Sequence, residues 1–249
     1  MSDILVDRTS GVLRITLNRP DRLNSLDTAM IDTISDELED SAGMRVAVIT
    51  GEGRAFCAGA VMAKDAVNPG ILDAIDRIIH TITGAPFPVI AAVNGIAAGA
   101  GCSIAVASDL VVAKSSSYFL QAFINIGLMP DGGANELLAA SVGRARAMKL
   151  VLGGEKLPAP EAEAMGLISH CVPDEEFDAT VEALVEKFSN GPTLAYARTK
   201  AAVNAASIPT ITQTLAREAE GQTALAATSD HAEGVAAFVE KRSASFSGS

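Results

Sequence analysis

The sequence predicts an α/β core followed by a helical C-terminal part, and three observations carry that prediction. Up to about residue 170, short β-rich runs alternate with amphipathic stretches. Beyond Pro173 the pattern is almost wholly helical. No fixed-period repeat and no low-complexity linker separates the two parts, and 249 residues that are 49% hydrophobic suffice for one large domain or a domain with a smaller appendage.

The expected strands are "VLRITLN" (12–18), "RVAVITG" (45–51), "VIAAVNG" (89–95), "DLVVAK" (109–114) and "ISHCV" (168–172). Between them lie the amphipathic stretches "TAMIDTISDELED" (28–40), "GILDAIDRIIHTIT" (70–83), "AGCSIAVASD" (100–109) and "ARAMKLVLGG" (145–154). Alternation of this kind argues for right-handed crossovers. Helical patterns then fill 178–190 and 193–207, followed by "TITQTLAREAEGQTALAATSD" and "HAEGVAAFVEKRSASF". The expected division is an α/β core over residues 1–190 and a helical subdomain over 191–249.

Composition excludes several function classes. Lys plus Arg number 19 against 30 Asp plus Glu, a formal charge of −11. No local basic patch is present, so no nucleic-acid partner is expected, and an anionic ligand has to be held by backbone dipoles and a few positioned cations. The long apolar run 87–107 is broken by Asn94 and by glycines, so no membrane span is expected. Residues 1–14 lack the pattern of a secretory signal, which makes the cytoplasm the expected location. Cys57, Cys102 and Cys171 have no CxxC spacing and no nearby histidine pair; they read as small core thiols, with no disulfide framework and no metal site. His80, His170 and His231 fall far in sequence from the motifs below and read as structural or solvent-facing.

Three turns carry candidate chemistry. "GEGRAFCAGAVMAK" (51–64) and "VNGIAAGAGCSIAVASD" (93–109) each follow a strand with small residues that let a ligand approach the main chain. In the second, a helix starts near Gly101. A helix start presents unpaired N–H groups and a positive dipole end, and two such turns can converge on one developing oxyanion. Either turn alone reads more often as simple close packing. The third stretch, "INIGLMPDGGANELL" (124–138), sets Asp131 between a proline and two glycines. Asp131 reads either as an acid/base group or as the side-chain N-cap of the helix "ANELLAAS", and the two roles can coexist. Glu136 is a reserve carboxylate whose helix position points it elsewhere. Lys64 and Asp65 lie in the turn-rich "MAKDAVNPG", which reads as a pocket cover or a mobile lid.

Taken in order, six segments make the chain resemble the crotonase family, also called the enoyl-CoA hydratase/isomerase family, over essentially its whole length. They are "LNRPDRLNSL" (17–26), "TGEGRAFCAGA" (50–60), "AAVNGIAAGAGCSIAVASDLVVA" (91–113), "GLMPDGGA" (127–134), "GRARAMKLVLGGEKLPAPEAEAMGLISHCV" (143–172) and "FVEKRSASFSG" (238–248). The resemblance implies a crotonase-like fold of ββα superhelical units, with the C-terminal subdomain used for trimerisation into a homotrimer or a dimer of trimers. It implies acyl-CoA thioester substrates and no cofactor beyond the coenzyme A that the substrate carries. By position it implies an oxyanion hole made of the Ala60 and Ala100 N–H groups; many relatives have glycine at the second position. It further implies that coenzyme A lies along Arg22, Ala58 and the strip Ala60, Val61, Met62 and Ala63, and that Lys241 reaches the phosphates.

The chain departs from the family's hydratases at both of their water-activating glutamates. Those positions here are Ser103 and Phe123. Serine without a histidine partner is a poor base and reads as a packing or helix-turn residue, while Phe123 makes the pocket wall apolar. An apolar wall desolvates a neighbouring carboxylate and raises its pKa, which suits Asp131 to proton shuttling near neutrality. Isomerases of the family place their single carboxylate in a turn of this kind, and "AAGAG", "AF", "GLMPDGG" and "GRARAM" resemble the branch containing the ring-1,2-epoxyphenylacetyl-CoA isomerase. The expectation is therefore an enoyl-CoA isomerase with Asp131 as base and acid. The alternatives are a hydratase using an unusual water and a non-catalytic acyl-CoA-binding protein.

Overall fold

A computed structural model of the chain describes residues 2–61 and 69–249, apart from the Pro69 side chain. In chain order the elements are β1 (Ile4–Thr9), β2 (Val12–Leu17), α1 (Thr28–Glu39), β3 (Val46–Gly51), β4 (Ala55–Cys57), α2 (Pro69–Gly84), β5 (Val89–Val93), β6 (Ile96–Ala98), α3 (Ala100–Ala107), β7 (Leu110–Lys114) and β8 (Tyr118–Leu120). They continue with α4 (Ala134–Val142), α5 (Arg144–Gly153), β9 (Leu157–Pro158), α6 (Ala159–Ala164), β10 (His170–Val172), α7 (Phe177–Ser189), α8 (Thr193–Ser207), α9 (Ile211–Ala226) and α10 (Ser229–Glu240).

The larger sheet has the order β1-β2-β3-β5-β7-β10. Only β1–β2 is antiparallel; the other pairings are parallel. The central strands β3 and β5 are apolar along nearly their whole length, as strands covered on both faces must be. On one face, Ile31, Ile34 and Leu38 of α1 and Ile75, Ile78, Ile79 and Ile82 of α2 share the main core with the inward strand residues. On the other face, Phe177, Val181, Val185 and Phe188 of α7 pack on Val46, Val48, Ile90, Ala92 and Val112.

A second sheet, β4-β6-β8-β9, explains the ββα repeat. After each of β3, β5 and β7 the chain steps into β4, β6 or β8 and then enters a helix, so these three strands of the large sheet each deliver their successor to the rim where the turns lie. The structure thus corrects the sequence reading at 55–57 and 96–98, where small-residue turns were expected and short strands stand. Three-residue strands of Ala, Phe, Cys and Ile carry too little period to be told from a turn. The edge strand β1 also escaped expectation: five of its six residues are exposed or half-exposed, so it lacks a buried apolar signature. Expected strand 168–172 begins only at His170.

Past α7, the remaining helices fold back over the core. Lys200 of α8 donates to Ile82 O (2.6 Å) and to Asp109 Oδ2 (2.7 Å), and Asp109 in turn accepts from Val89 N (2.7 Å), a largely buried ion pair that anchors the helix. Helix α9 lies against α2 and α4, and α10 packs on a 3-10 turn at Ala122–Ile126. Among the described residues no helix is long and apolar enough to cross a membrane.

Candidate active site

The first turn is held from below by a buried asparagine. Asn24 donates to Glu52 O (2.9 Å) and Ala55 O (2.7 Å) and accepts from Arg19 N (2.8 Å), tying the segment after β2 to the β3–β4 connection. Three main-chain bonds complete the tie: Ala58 N to Leu23 O, Leu26 N to Gly59 O and Val61 N to Leu26 O. In a parallel bridge between Leu26 and Ala60, these bonds engage the residues on either side of Ala60, so the Ala60 N–H points away from Leu26.

The second turn follows β6. Gly99 has φ 51° and ψ −129°, a conformation that disfavours any residue with a Cβ, and it lets α3 begin abruptly at Ala100. The Ala100 N–H belongs to the first helical turn and has no partner within the helix. Ala100 itself is helical, so alanine in place of glycine introduces no backbone strain. A methyl group on Gly59 would sit 3.6 Å from Ala100 N, which places the two turns in van der Waals contact. Helix α3 rests directly on β4: a methyl at Gly101 would lie 2.5 Å from Cys57 O. The Cys57 and Cys102 thiols are buried here, and burial pushes both up to about 12.

Both turns open on one cavity of about 780 Å³. Its near wall includes Ala58, Gly59, Ala60, Val61, Gly99 and Ala100, and its apolar lining includes Leu26, Ile71, Leu72, Ile75, Leu120, Phe123 and Leu128. The far wall comes from α10 and the segment after it, with His231, Val235, Phe238, Arg242 and Phe246. The ring of Phe123 lies beside the second turn; a methyl on Gly99 would be 3.7 Å from its Cζ.

Asp131 lines the same cavity and is 6% exposed. Its Oδ1 is buried without a hydrogen-bond partner, and its Oδ2 lies 3.4 Å from Gln222 Nε2. Burial, followed by the nearby carboxylates of Glu218 and Asp76, pushes Asp131 up to about 8. The N-cap reading of Asp131 is overturned. The N-cap of α4 is Gly133, and the carboxylate that accepts from its first turn is Glu218, through Gly133 N (2.7 Å) and Asn135 N (3.1 Å). Burial outweighs these bonds and pushes Glu218 up to about 7. Ser103 Oγ donates to Asp131 O (2.8 Å), so the residue in the first glutamate position ties α3 to the turn. Glu136 points away, accepting from Thr210 N and Thr214 Oγ1.

Of the expected site residues, Ala58, Ala60, Val61, Ala100, Phe123 and Asp131 come together on this cavity. Arg22, on the 3-10 turn Pro20–Arg22, and Lys241, the left-handed C-cap of α10, lie outside its wall. Among the described residues the cation in the wall is Arg242, held by Glu233 and Glu240. Met62, Ala63, Lys64 and Asp65 lie outside the described residues. His231 requires a correction: remote in sequence, it nevertheless lines the cavity, with Nδ1 2.9 Å from Ile126 O. His80 is exposed and His170 is half-buried on β10. Asn24, Glu218, Gln222 and Arg242 were not anticipated, because each acts on partners distant in the chain or through a neighbour already engaged.

Residues 7–249 match the family model described as enoyl-CoA hydratase/isomerase. A Rhodobacter capsulatus protein named probable enoyl-CoA hydratase is 42% identical over 96% of each chain. The 1,2-epoxyphenylacetyl-CoA isomerase of Escherichia coli K12 is 37% identical over 100% of this chain and 99% of its own. The crystal structure of an enoyl-CoA hydratase from Mycobacterium avium subsp. paratuberculosis superposes with a TM-score of 0.94 at 42% identity, covering 99% of both chains.

Proposed function

This chain belongs to the enoyl-CoA hydratase/isomerase family, and we propose that within it the protein is an isomerase-type enzyme that moves a double bond along an acyl-CoA thioester. One observation carries the proposal: a buried carboxyl with an unpartnered oxygen, Asp131, faces the cavity onto which Ala60 and Ala100 open, while Ser103 and Phe123 stand at the hydratase glutamate positions.

The chemistry follows from that arrangement. The thioester oxygen accepts from the Ala60 and Ala100 N–H groups, which favours the enolate over the carbonyl; each donor contributes about 3 kcal/mol in a dry site. Asp131 removes a proton from C2 of a 3-enoyl thioester, the electron pair passes into a dienolate held by the two amides, and the same carboxyl returns the proton at C4. The product is the conjugated 2-enoyl thioester, with no net change in composition. A carboxyl raised to about 8 is a stronger base than an ordinary one and, once protonated, a usable acid near neutral pH. An apolar wall at Phe123 keeps water from the intermediate.

Proton exchange at C2 of a thioester panel in heavy water tests the chemistry without knowledge of the natural acyl group. Wild type exchanges, and Asp131→Asn loses exchange by about 10²–10⁴-fold while still binding thioester. Equal exchange in the variant overturns the proposal. The name of the Rhodobacter capsulatus relative favours a second reading, hydration with Asp131 alone activating water; consumption of the conjugated absorbance of crotonyl-CoA by wild type would establish it. Binding with neither exchange nor hydration would leave an acyl-CoA-binding protein.

A further inference from the structure

Helix α9 grips the Asp131 turn on both sides. Glu218 and Gln222, one turn apart on α9 and both buried, face the same stretch of chain. Glu218 Oε2 accepts from Gly133 N (2.7 Å), and its Oε1 accepts from Asn135 N (3.1 Å) and Asn135 Nδ2 (2.7 Å). Gln222 Nε2 donates to Met129 O (2.6 Å) on the other side of the turn and reaches Asp131 Oδ2 at 3.4 Å. Burying a second carboxylate near the first is unfavourable, since neither can be fully ionised beside the other without mutual repulsion. Asp131 is itself well placed in sequence to cap α4, yet the capping bonds are delegated to Glu218, and Asp131, which lines the cavity, keeps one carboxyl oxygen without a hydrogen-bond partner.

We propose that Glu218 and Gln222 are positioning residues for the proton transfer, holding the turn from the C-terminal helices so that the Asp131 carboxyl faces the substrate with one oxygen unbonded. The proposal rests on Asp131 being the acid/base group. Charge adds a second effect. Among the described residues, the charged groups that bear on the Asp131 carboxyl are Glu218 from α9 and Asp76 from α2, both acidic and both disfavouring its ionisation. From α3, Ser103 binds the Asp131 main chain rather than its carboxyl. On α4, Glu136 is turned to Thr210 and Thr214. His231 of α10 lines the same cavity, and Arg242 beyond it is committed to Glu233 and Glu240.

The two grips predict shifts of opposite sign. Glu218→Gln removes a like charge and lowers the Asp131 midpoint by about one pH unit; Gln222→Met removes the donor that reaches the carboxylate among the described residues and raises it. The midpoint is read from the Asp131 carboxyl band by difference infrared spectroscopy against Asp131→Asn, and independently from the pH at which C2 exchange rises. Both variants are expected to lower kcat by about tenfold with KM changed far less. Midpoints that stay at the wild-type value, whatever happens to kcat, reduce the grips to ordinary packing and overturn the proposal. Should Glu218→Gln fail to fold, the sign of the Gln222→Met shift decides alone. If Asp131→Asn exchanges as fast as wild type, the acid/base assignment itself has failed; if it is inactive while both other variants match wild type, only the positioning role has.

Discussion

The two sides of the cavity, one at Ala60 and Ala100 and the other at Asp131, are built in opposite ways. Around Ala60 and Ala100 the groups proposed to act are main-chain amides, set by strand ends, two glycines of positive φ, Gly59 and Gly99, and a helix seated directly on Cys57. Around Asp131 the group proposed to act is a side chain, and its turn is fixed by side chains from α3 and α9. A backbone-built wall tolerates change in its side chains but not in its close contacts. A wall braced by side chains can be retuned one residue at a time, and its electrostatics respond to each change.

The largest expected effect lies on the braced side. Asp131 holds its proton up to about pH 8 in the folded chain, against an ordinary value of 3.8. The folded state therefore binds the proton more tightly than the unfolded state, and this group's effect on stability worsens as pH rises from about 4 to about 8. Asparagine carries no such dependence. Asp131→Asn is thus expected to abolish turnover and to gain stability on wild type across that window, by on the order of a few kcal/mol above pH 8, in denaturant titrations at several pH values. An unchanged difference between pH 4 and pH 8 would contradict the burial of an ionising carboxyl.

Next in size is a change on the backbone side. Gly101→Ala would drive a methyl into Cys57 O and push α3 off β4; the expected destabilisation is about 1–3 kcal/mol, with turnover lost because Ala100 moves relative to Ala60. Calorimetry and C2 exchange check it, and a fully active, equally stable variant would mean that the two amides do not act together. Ser103→Ala removes one bond between the two sides; a loss of about 1 kcal/mol and a few-fold lower kcat are expected from thermal melts and kinetics. The smallest change concerns neither side. Lys241 occupies a left-handed C-cap at φ 56°, so Lys241→Gly should stabilise by about 0.5–1 kcal/mol and leave KM for thioesters unaltered; a raised KM would restore Lys241 as a phosphate contact.

The same contrast explains what the sequence made legible. Main-chain sites announce themselves through small residues in fixed local order: "CAGA" and "AAGAG" marked the two turns and the family resemblance placed Ala60 and Ala100 in them, whereas the support of the first turn by Asn24, Leu23 and Leu26 comes from more than 30 residues away. "PDGG" likewise pointed to Asp131. The bracing of Asp131 was invisible: Glu218 and Gly133 are 85 residues apart, and a buried glutamate on an otherwise ordinary amphipathic helix looks in sequence like a solvated one. His231 was misread for the same reason, since α10 is brought to the 3-10 turn at Ala122–Ile126 only by the fold. The ββα repeat was legible in its long strands and lost in its three-residue ones, where no periodicity can develop.

The seating of α3 on β4 has a practical corollary. Cys57 and Cys102 are enclosed beside that contact and hold their protons far into the alkaline range, whereas Cys171 is half-buried on β10, an edge strand of the large sheet. Thiol-directed reagents should therefore find a single addressable position on this chain. A fluorophore or spin label placed there can report on ligand-induced motion without entering the chamber whose movements it records.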